Sequence, residues 1–304
     1  MSLLVVGSVA YDGVETPHGK VERMLGGSST YIAIAASHFT DVRLVGVVGD
    51  DFSAEDIDTL KSHSIDLEGL ERLPGKTFFW SGVYSRNMNE RTTLTTDLNV
   101  FADFNPRLPE KYCSTPYAFL GNIHPELQGK VRSQLTDVRL IGGDTMNFWI
   151  EGTPNELAQA IAEWDLILIN DQEARELSGE YDLRRAAQHI CASGPKTVVI
   201  KRGEYGALLF DSSGYFVAPG FLLETVLDPT GAGDSFAGGF MGYLAEEGLS
   251  SIAEASGSQL RKAMIYGSVM GSFCCEQFGI GRLRTLTRND IEQRVEEFRT
   301  LTQF

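Results

Sequence analysis

Cysteine is scarce in this chain of 304 residues: Cys113, Cys191, Cys274 and Cys275 make no CxxC pair, and the last two are adjacent in an apolar stretch. That spacing excludes a disulfide framework and a zinc site, and makes a reducing cytoplasm the expected compartment. Basic charge is also in short supply. Lys and Arg number 26 against 41 Asp and Glu, a formal −15, with a pI near 4.8. The average field therefore repels DNA, RNA and anionic membranes, and neither nucleic acid nor membrane is expected as a partner. A small phosphate compound held by local backbone N–H groups is still compatible with this background.

Long hydrophobic runs are missing too. The longest nearly apolar stretch, Ala263 to Cys275, falls well short of the roughly 18 residues that span a bilayer, so it reads as a buried helix. The opening MSLLVVGSVAYDG has no basic residue ahead of its apolar run, which stops at Gly7, too short for a signal peptide. The five histidines, His18, His38, His63, His124 and His189, lack metal-ligand spacing. No G-x-G-x-x-G follows a strand and no G-x-S-x-G occurs, which argues against a nicotinamide or flavin enzyme and a serine hydrolase. GLERLPGKT at 69–77 ends like a phosphate-binding P-loop, but Gly69 lies one residue too far from Gly75. It reads as a plain loop.

What is present is an ordinary globular composition, with 42% hydrophobic and 22% charged residues and a mean hydropathy of −0.10. Short β-branched runs recur at 3–7, 42–49, 117–121, 138–144, 165–170, 197–203 and 207–210. Helix-like segments lie between most of them, at 27–39, 52–62, 126–135, 154–163, 171–178 and 182–192. Continuous apolar strands alternating with helices predict an α/β fold whose mostly parallel sheet is covered on both faces. Residues 228–304 read as helical, with helices near 233–247, 253–276 and 287–302. The segment 76–104 breaks the rhythm: rich in Thr, Phe, Tyr and Val, it predicts antiparallel strands with a polar tip at Asn87–Asn89. Joined by 12–24, it forms a small sheet projecting from a single domain that covers 1–304. Such a sheet covers a cleft, pairs with a second copy, or is an edge hairpin without a role.

The string LDPTGAGDSFAGGFMGYLA at 227–245 carries the most chemistry. Gly231, Ala232 and Gly233 leave backbone N–H groups unobstructed where a helix begins, and the helix N-terminus adds partial positive charge. Asp234 falls in the first turn. A carboxylate beside an anion site is costly, unless it takes a proton from a nucleophile attacking that anion. An acidic base next to an amide cradle points to phosphoryl transfer to a hydroxyl. The plain structural alternative has Asp228 capping the helix, Asp234 meeting its dipole and the glycines merely packing.

DPTGAGDSFAGG resembles the C-terminal signature of the ribokinase-like, or PfkB, carbohydrate kinases, and GGSSTYIAIAAS at 26–37 resembles their N-terminal diglycine motif. The resemblance covers nearly the whole chain. It implies a three-layer α/β/α fold with a mostly parallel central sheet and a small β-sheet lid, and an ATP-dependent kinase acting on a sugar or sugar-containing hydroxyl. By the same resemblance Asp234 is the base, and Gly231, Ala232 and Gly233 form the anion hole. Asn170 and Glu173 match the family's N-x-x-E motif, which places Mg2+ and phosphates through water, although a capping box accounts for the pair equally. Lys201, Gly203 and Gly206, in KRGEYG, resemble the segment that touches the nucleotide; a β-hairpin turn is the competing reading. Asp12, Gly26, Gly27 and Ser28 fall on the acceptor side, with Asp12 matching the acidic residue that holds sugar hydroxyls. Asp228 and Thr230, with carbonyls in 274–283, resemble a monovalent-cation (K+) site.

One departure bears on the acceptor. Tyr31 stands where the motif commonly has an Asn, and a phenol does not imitate an amide's paired donor and acceptor, so ribose is not a safe assignment. Phe78, Phe79 and Trp80 keep a nucleoside acceptor open by stacking. A catalytically silent ligand-binding member and a homodimer through the lid edges complete the alternatives.

Overall fold

The computed structural model describes residues 1–303. Along the chain come β1 (Ser2–Val6), β2 (Ala10–Thr16), β3 (Gly19–Gly26), α1 (Ser28–Ser37), β4 (Asp41–Val48), α2 (Ala54–Ser62) and β5 (Ile65–Arg72). They are followed by β6 (Phe78–Tyr84), β7 (Arg91–Asp97), β8 (Tyr117–Leu120), α3 (Pro125–Gln134), β9 (Leu140–Gly143), α4 (Asn147–Gly152), α5 (Pro154–Ala162) and β10 (Leu166–Asn170). The remainder comprises α6 (Asp171–Ser178), α7 (Leu183–Ala192), β11 (Thr197–Lys201), β12 (Ala207–Asp211), β13 (Gly214–Ala218), α8 (Ala232–Glu246), α9 (Gly257–Cys274) and α10 (Arg288–Thr302).

Nine strands form one sheet in the order β13-β12-β11-β10-β9-β8-β1-β4-β5. Neighbours from β11 across to β5 are parallel, and β12 and β13 are added antiparallel. The continuous apolar strands follow from burial on both faces. Leu3 and Val5 of β1 enter one core while Leu4 and Val6 enter the other; Leu166 and Leu168 of β10 likewise oppose Ile167 and Ile169. Helices α1, α8, α9 and α10 close the first core through Ile32, Phe240, Met270 and Ile291. The second is closed by α3, α5 and α7 through Val131, Leu157 and Ile190. The result is the expected three-layer arrangement.

A separate sheet runs β3-β2-β6-β7. Its two hairpins are antiparallel, as anticipated, but the central pair β2 and β6 is parallel, because the hairpins come from distant parts of the chain and lie side by side. Strand structure ends at Asp97. Residues Asn99–Asp103 turn instead into a 3-10 helix that stacks Phe101 on Phe78, centroids 5.2 Å apart. The loop expected over 69–77 needs correction as well: 69–72 complete β5, which pairs only with β4 at the sheet edge, and the loop proper is shorter. KRGEYG is the turn joining the antiparallel pair β11 and β12, with a 3-10 turn at Gly203–Tyr205.

Helix α8 is apolar on all sides because α1 and α9 enclose it, and Gly238 permits the close approach to α1. A Cβ there would lie 2.4 Å from the Ile32 carbonyl oxygen and 2.7 Å from the Ala35 Cβ. Gly238→Ala is therefore expected to overpack this contact and cost about 1–3 kcal/mol despite the better helix propensity of Ala. Urea unfolding should show a lower midpoint at unchanged slope.

Candidate active site

The carboxyl ends of β1, β9, β10 and β11 converge with the N-terminus of α8, and each delivers polar residues to one cleft, as open α/β sheets do. At its centre, the turn before α8 is held by Asp228, which is fully buried at 0% exposure. Its Oδ1 accepts the Thr230 N–H at 2.9 Å and its Oδ2 the Gly279 N–H at 3.0 Å. Gly231 takes φ 77°, ψ 1° at the cap position of α8. Left-handed geometry at that point is open to glycine at no cost, and a Cβ would enter the Tyr31 ring at 2.4 Å. Asp228 therefore clamps the turn and does not cap the helix.

The consequence is an opening lined by N–H groups. The amides of Gly231, Gly233 and Asp234 have no acceptor among the described residues, whereas the Ala232 amide bonds to the Pro229 carbonyl at 3.2 Å. The expected cradle of residues 231–233 is thus shifted by one member, with Asp234 supplying the third free N–H. The Lys201 ammonium lies 3.1 Å from where a Gly233 Cβ would sit, so its positive charge adjoins this turn.

Around it the carboxylates are dense. Asp234 is half-buried, and its side chain makes no hydrogen bond among the described residues. Burial, reinforced by the charge of Asp144 and opposed by Lys201 and Arg91, pushes it up to about 7. Burial likewise raises Glu173 to about 7, with Asp144 adding and Lys201 opposing. Lys201 sits 3.5 Å from Asp144 Oδ2. Burial pulls its ammonium down, but Asp144, Glu173 and Asp234 overcome this and hold it above the usual lysine value. Asp144 and Arg91 had not been singled out from the sequence. Asp144 follows the last residue of β9, so a search of strand ends would have found it; Arg91 gives no local signal.

Asn170 and Glu173 form a reciprocal capping box at α6, both bonds 2.8 Å long. One Glu173 oxygen, Oε2, is used in that cap. Asn170 and Lys201 are register partners at the ends of β10 and β11, which puts the N-x-x-E segment beside the lysine. Gly203 lies at the start of the turn in KRGEYG. Gly206, at φ 84°, is required by packing: a Cβ there would meet the Ala218 carbonyl oxygen at 2.1 Å.

On the other side of the turn, Asp12 projects from β2 and Gly26 and Gly27 make room for it. A Cβ on Gly26 would lie 2.0 Å from Asp12 Oδ2, and the Gly27 N–H reaches that oxygen at 3.4 Å. Burial pushes Asp12 up to about 7, moderated by the Gly27 N–H. Ser28 is tied to Ser8: its N–H donates to Ser8 Oγ at 3.0 Å, and its own Oγ receives the Ser8 N–H at 3.3 Å. Tyr31, which stands at the motif's acceptor-side Asn position, does not face the cleft. It is 1% exposed with its ring beneath Gly231, so it supports the turn from behind. The residues assigned to a cation, Asp228 and Thr230, are engaged within the protein. Both Asp228 oxygens hold amides, the Thr230 hydroxyl bonds to Tyr84 at 3.1 Å, and the Thr230 carbonyl accepts the Cys274 thiol at 3.2 Å.

A partly buried lysine, a carboxylate without a hydrogen-bond partner and free amides thus meet around one helix start on a three-layer α/β fold. The family model for "pfkB family carbohydrate kinase" matches residues 2–285. A cytidine kinase from Thermococcus kodakarensis is 31% identical over 248 residues, spanning 80% of this chain and 88% of its own. An ATP-dependent ribose-1-phosphate kinase from Halopiger xanaduensis is 26% identical over 226 residues, 71% and 72% of the two chains. Nucleoside kinases from Methanocaldococcus jannaschii and, in complex with inosine, Burkholderia thailandensis share the fold. Their TM-scores are 0.77 and 0.76 at 18% and 21% identity, with 97% of this chain covered and 98% and 97% of theirs. The chain belongs to the pfkB family of carbohydrate kinases and is an ATP-dependent phosphotransferase with a hydroxyl of a sugar or sugar-containing small molecule as acceptor. No helix among the described residues is long and apolar enough to cross a membrane.

Raised carboxylates also bear on stability. Asp12, Glu173 and Asp234 at about 7 retain protons between about pH 4 and 7 that the unfolded chain releases, so their burial makes the fold less stable as pH rises through that window. Asp234→Asn removes one such charge. Its melting temperature should exceed that of the natural chain at pH 8, and the gain should shrink to nothing towards pH 4.

Proposed function

We propose that Asp234 is the base, and that the amides of Gly231, Gly233 and Asp234 with Lys201 receive the phosphoryl group in transit. The observation that carries this is the unpartnered Asp234 carboxylate beside three unpartnered amides. The acceptor's O–H proton passes to Asp234, the acceptor oxygen bonds to the γ-phosphorus, and the bond to the departing ADP oxygen breaks with its electron pair on ADP. The residues suit ATP and magnesium: the free amides and Lys201 answer the phosphates, and Glu173, with Asn170 beside it, would hold Mg2+ through water. When bound, magnesium offsets charge on the triphosphate. Asp228 and Thr230 are assigned to the clamp, and no role is given to potassium. Asp12, next to the Gly26–Gly27 backbone, holds hydroxyls of the acceptor.

Residues 1–304 act as one domain whose small sheet is the lid, excluding water during transfer. Free cysteines suit a cytoplasmic setting. The exposed edge strands β3 and β7 make a homodimer through the lid the favoured assembly.

A nucleoside is the acceptor class we favour, on one observation. Phe78 is taken up by Phe101, and Phe79 packs into the core, but Trp80 is the register partner of Asp12 and shares its face. Its indole lies across Gly82, 2.6 Å from the Cβ position that glycine leaves empty, and presents a flat surface beside the sugar-holding carboxylate. The 31%-identical relative being a cytidine kinase supports the same reading.

Asp234→Asn should lower kcat by about 10²–10⁴-fold with ATP binding retained, and the natural enzyme's kcat/KM should fall tenfold per pH unit below about 7. Undiminished turnover of the variant would remove Asp234 from the mechanism. ADP formation measured against nucleosides, sugars and sugar acids identifies the acceptor. For a nucleoside, Trp80→Ala should raise KM by roughly 5- to 150-fold, the worth of one base stacked on an aromatic ring, while KM for ATP stays put.

A further inference from the structure

The cleft holds a marked excess of negative charge. Asp144, Glu173 and Asp234 act on one partly buried cation, Lys201, Asp12 adds its charge to Asp234 from the acceptor side, and a nucleoside triphosphate adds more. The small sheet supplies a second cation that no motif announces. Arg91 begins β7, and its register partner on β6 is Tyr84. Opposed residues of an antiparallel pair project to one face, and the Tyr84 hydroxyl identifies that face by accepting the Thr230 hydroxyl hydrogen at 3.1 Å. Arg91 therefore projects towards the same turn that carries the free amides.

Two further contacts fix its place. Its guanidinium lies 5.4 Å from the Trp80 ring centroid, on the face shared with Asp12. Two residues earlier, Asn89 Nδ2 donates to Glu204 Oε1 at 2.8 Å, so the tip of the β6 and β7 hairpin reaches the KRGEYG turn next to Lys201. Arg91 thus stands between the acceptor side and the turn that follows Lys201. It is exposed and has no ion pair among the described residues. Its charge is nonetheless felt by Asp12, Glu173 and Asp234, each of which it draws downward against the effect of burial.

We propose that Arg91 is a catalytic residue that the small sheet brings against the phosphoryl group as it passes from ATP to the acceptor. The assignment rests on the kinase reading above. A guanidinium suits the task because it keeps its charge and presents planar paired donors to phosphate oxygens. Its exposed position lets it follow the sheet as the cleft opens and closes.

The test compares steady-state kinetics of the full-length natural chain with Arg91→Ala, Arg91→Gln and Arg91→Lys, using ATP and the best acceptor from the panel. Arg91→Gln keeps much of the aliphatic stem over Trp80 and loses the charge and the guanidinium's paired donors. The expected result is a kcat loss of about 100-fold or more in both Ala and Gln variants, KM for acceptor and ATP within about threefold, and an intermediate kcat for Lys. Equal melting temperatures would show that the fold is intact. A kcat within threefold of the natural enzyme for Arg91→Gln overturns the proposal, as does a loss confined to the acceptor KM. If the natural chain phosphorylated no acceptor, the kinase reading itself would fall; an active natural chain with a fully active Arg91→Gln strikes only the role of Arg91.

Discussion

The two hydrogen bonds accepted by Asp228 are the constraint on which the site depends. One carboxylate, sealed from water, joins the Thr230 and Gly279 amides and so fixes the start of α8 against the segment after α9. Only with that turn held does Gly231 adopt its left-handed conformation, leaving three neighbouring amides without acceptors and Asp234 at the cleft floor. Such amides at a helix start have no partner within the helix and stand open to a ligand or to water. The Tyr31 ring behind Gly231 gives the turn a rigid backing, which is why this aromatic is buried and not part of the cleft wall.

Electrostatics in the cleft oppose stability and serve chemistry. Carboxylates from the end of β9, from α6 and from α8 act on one lysine, with Asp12 of β2 facing Asp234 from the other side, and burial lifts Asp12, Glu173 and Asp234 to about 7. A base poised near neutrality takes up a proton and releases it again with little penalty in either direction. The same crowding leaves the cleft short of positive charge, with Lys201 close to Asp144 and Arg91 drawing Asp12, Glu173 and Asp234 downward. The small sheet takes part in this arrangement: its β6 and β7 hairpin carries Trp80 with the Arg91 guanidinium near its ring, and a contact to the KRGEYG turn.

Much of the scaffold was legible in the chain. The strand and helix segments of the main body lie within a few residues of their expected bounds, because a strand buried on both faces is a continuous apolar run and the helices between carry their own starts. The turn around Gly231–Asp234 and the paired Asn170 and Glu173 were equally visible, since each is a local arrangement of amides and side chains at a helix start. Less legible were β13, the strand portion of 69–77 and the parallel pairing of β2 with β6, where the partner strand decides and the local pattern is weak.

Taken alone, the amino-acid order determined the layered α/β class and a helix start with open, glycine-flanked amides, both of which follow from short-range hydrogen bonding and hydrophobic periodicity. Tertiary structure alone decided that Tyr31 backs the turn, that Asp228 and Thr230 form a clamp, that Asp144 pairs with Lys201 and that Arg91 faces the cleft. Each of these is a contact between residues 50 or more apart in sequence, or a choice of sheet face set by strand register. Nothing in the local sequence encodes which distant strand will lie alongside, because that choice is settled by the packing of the entire core.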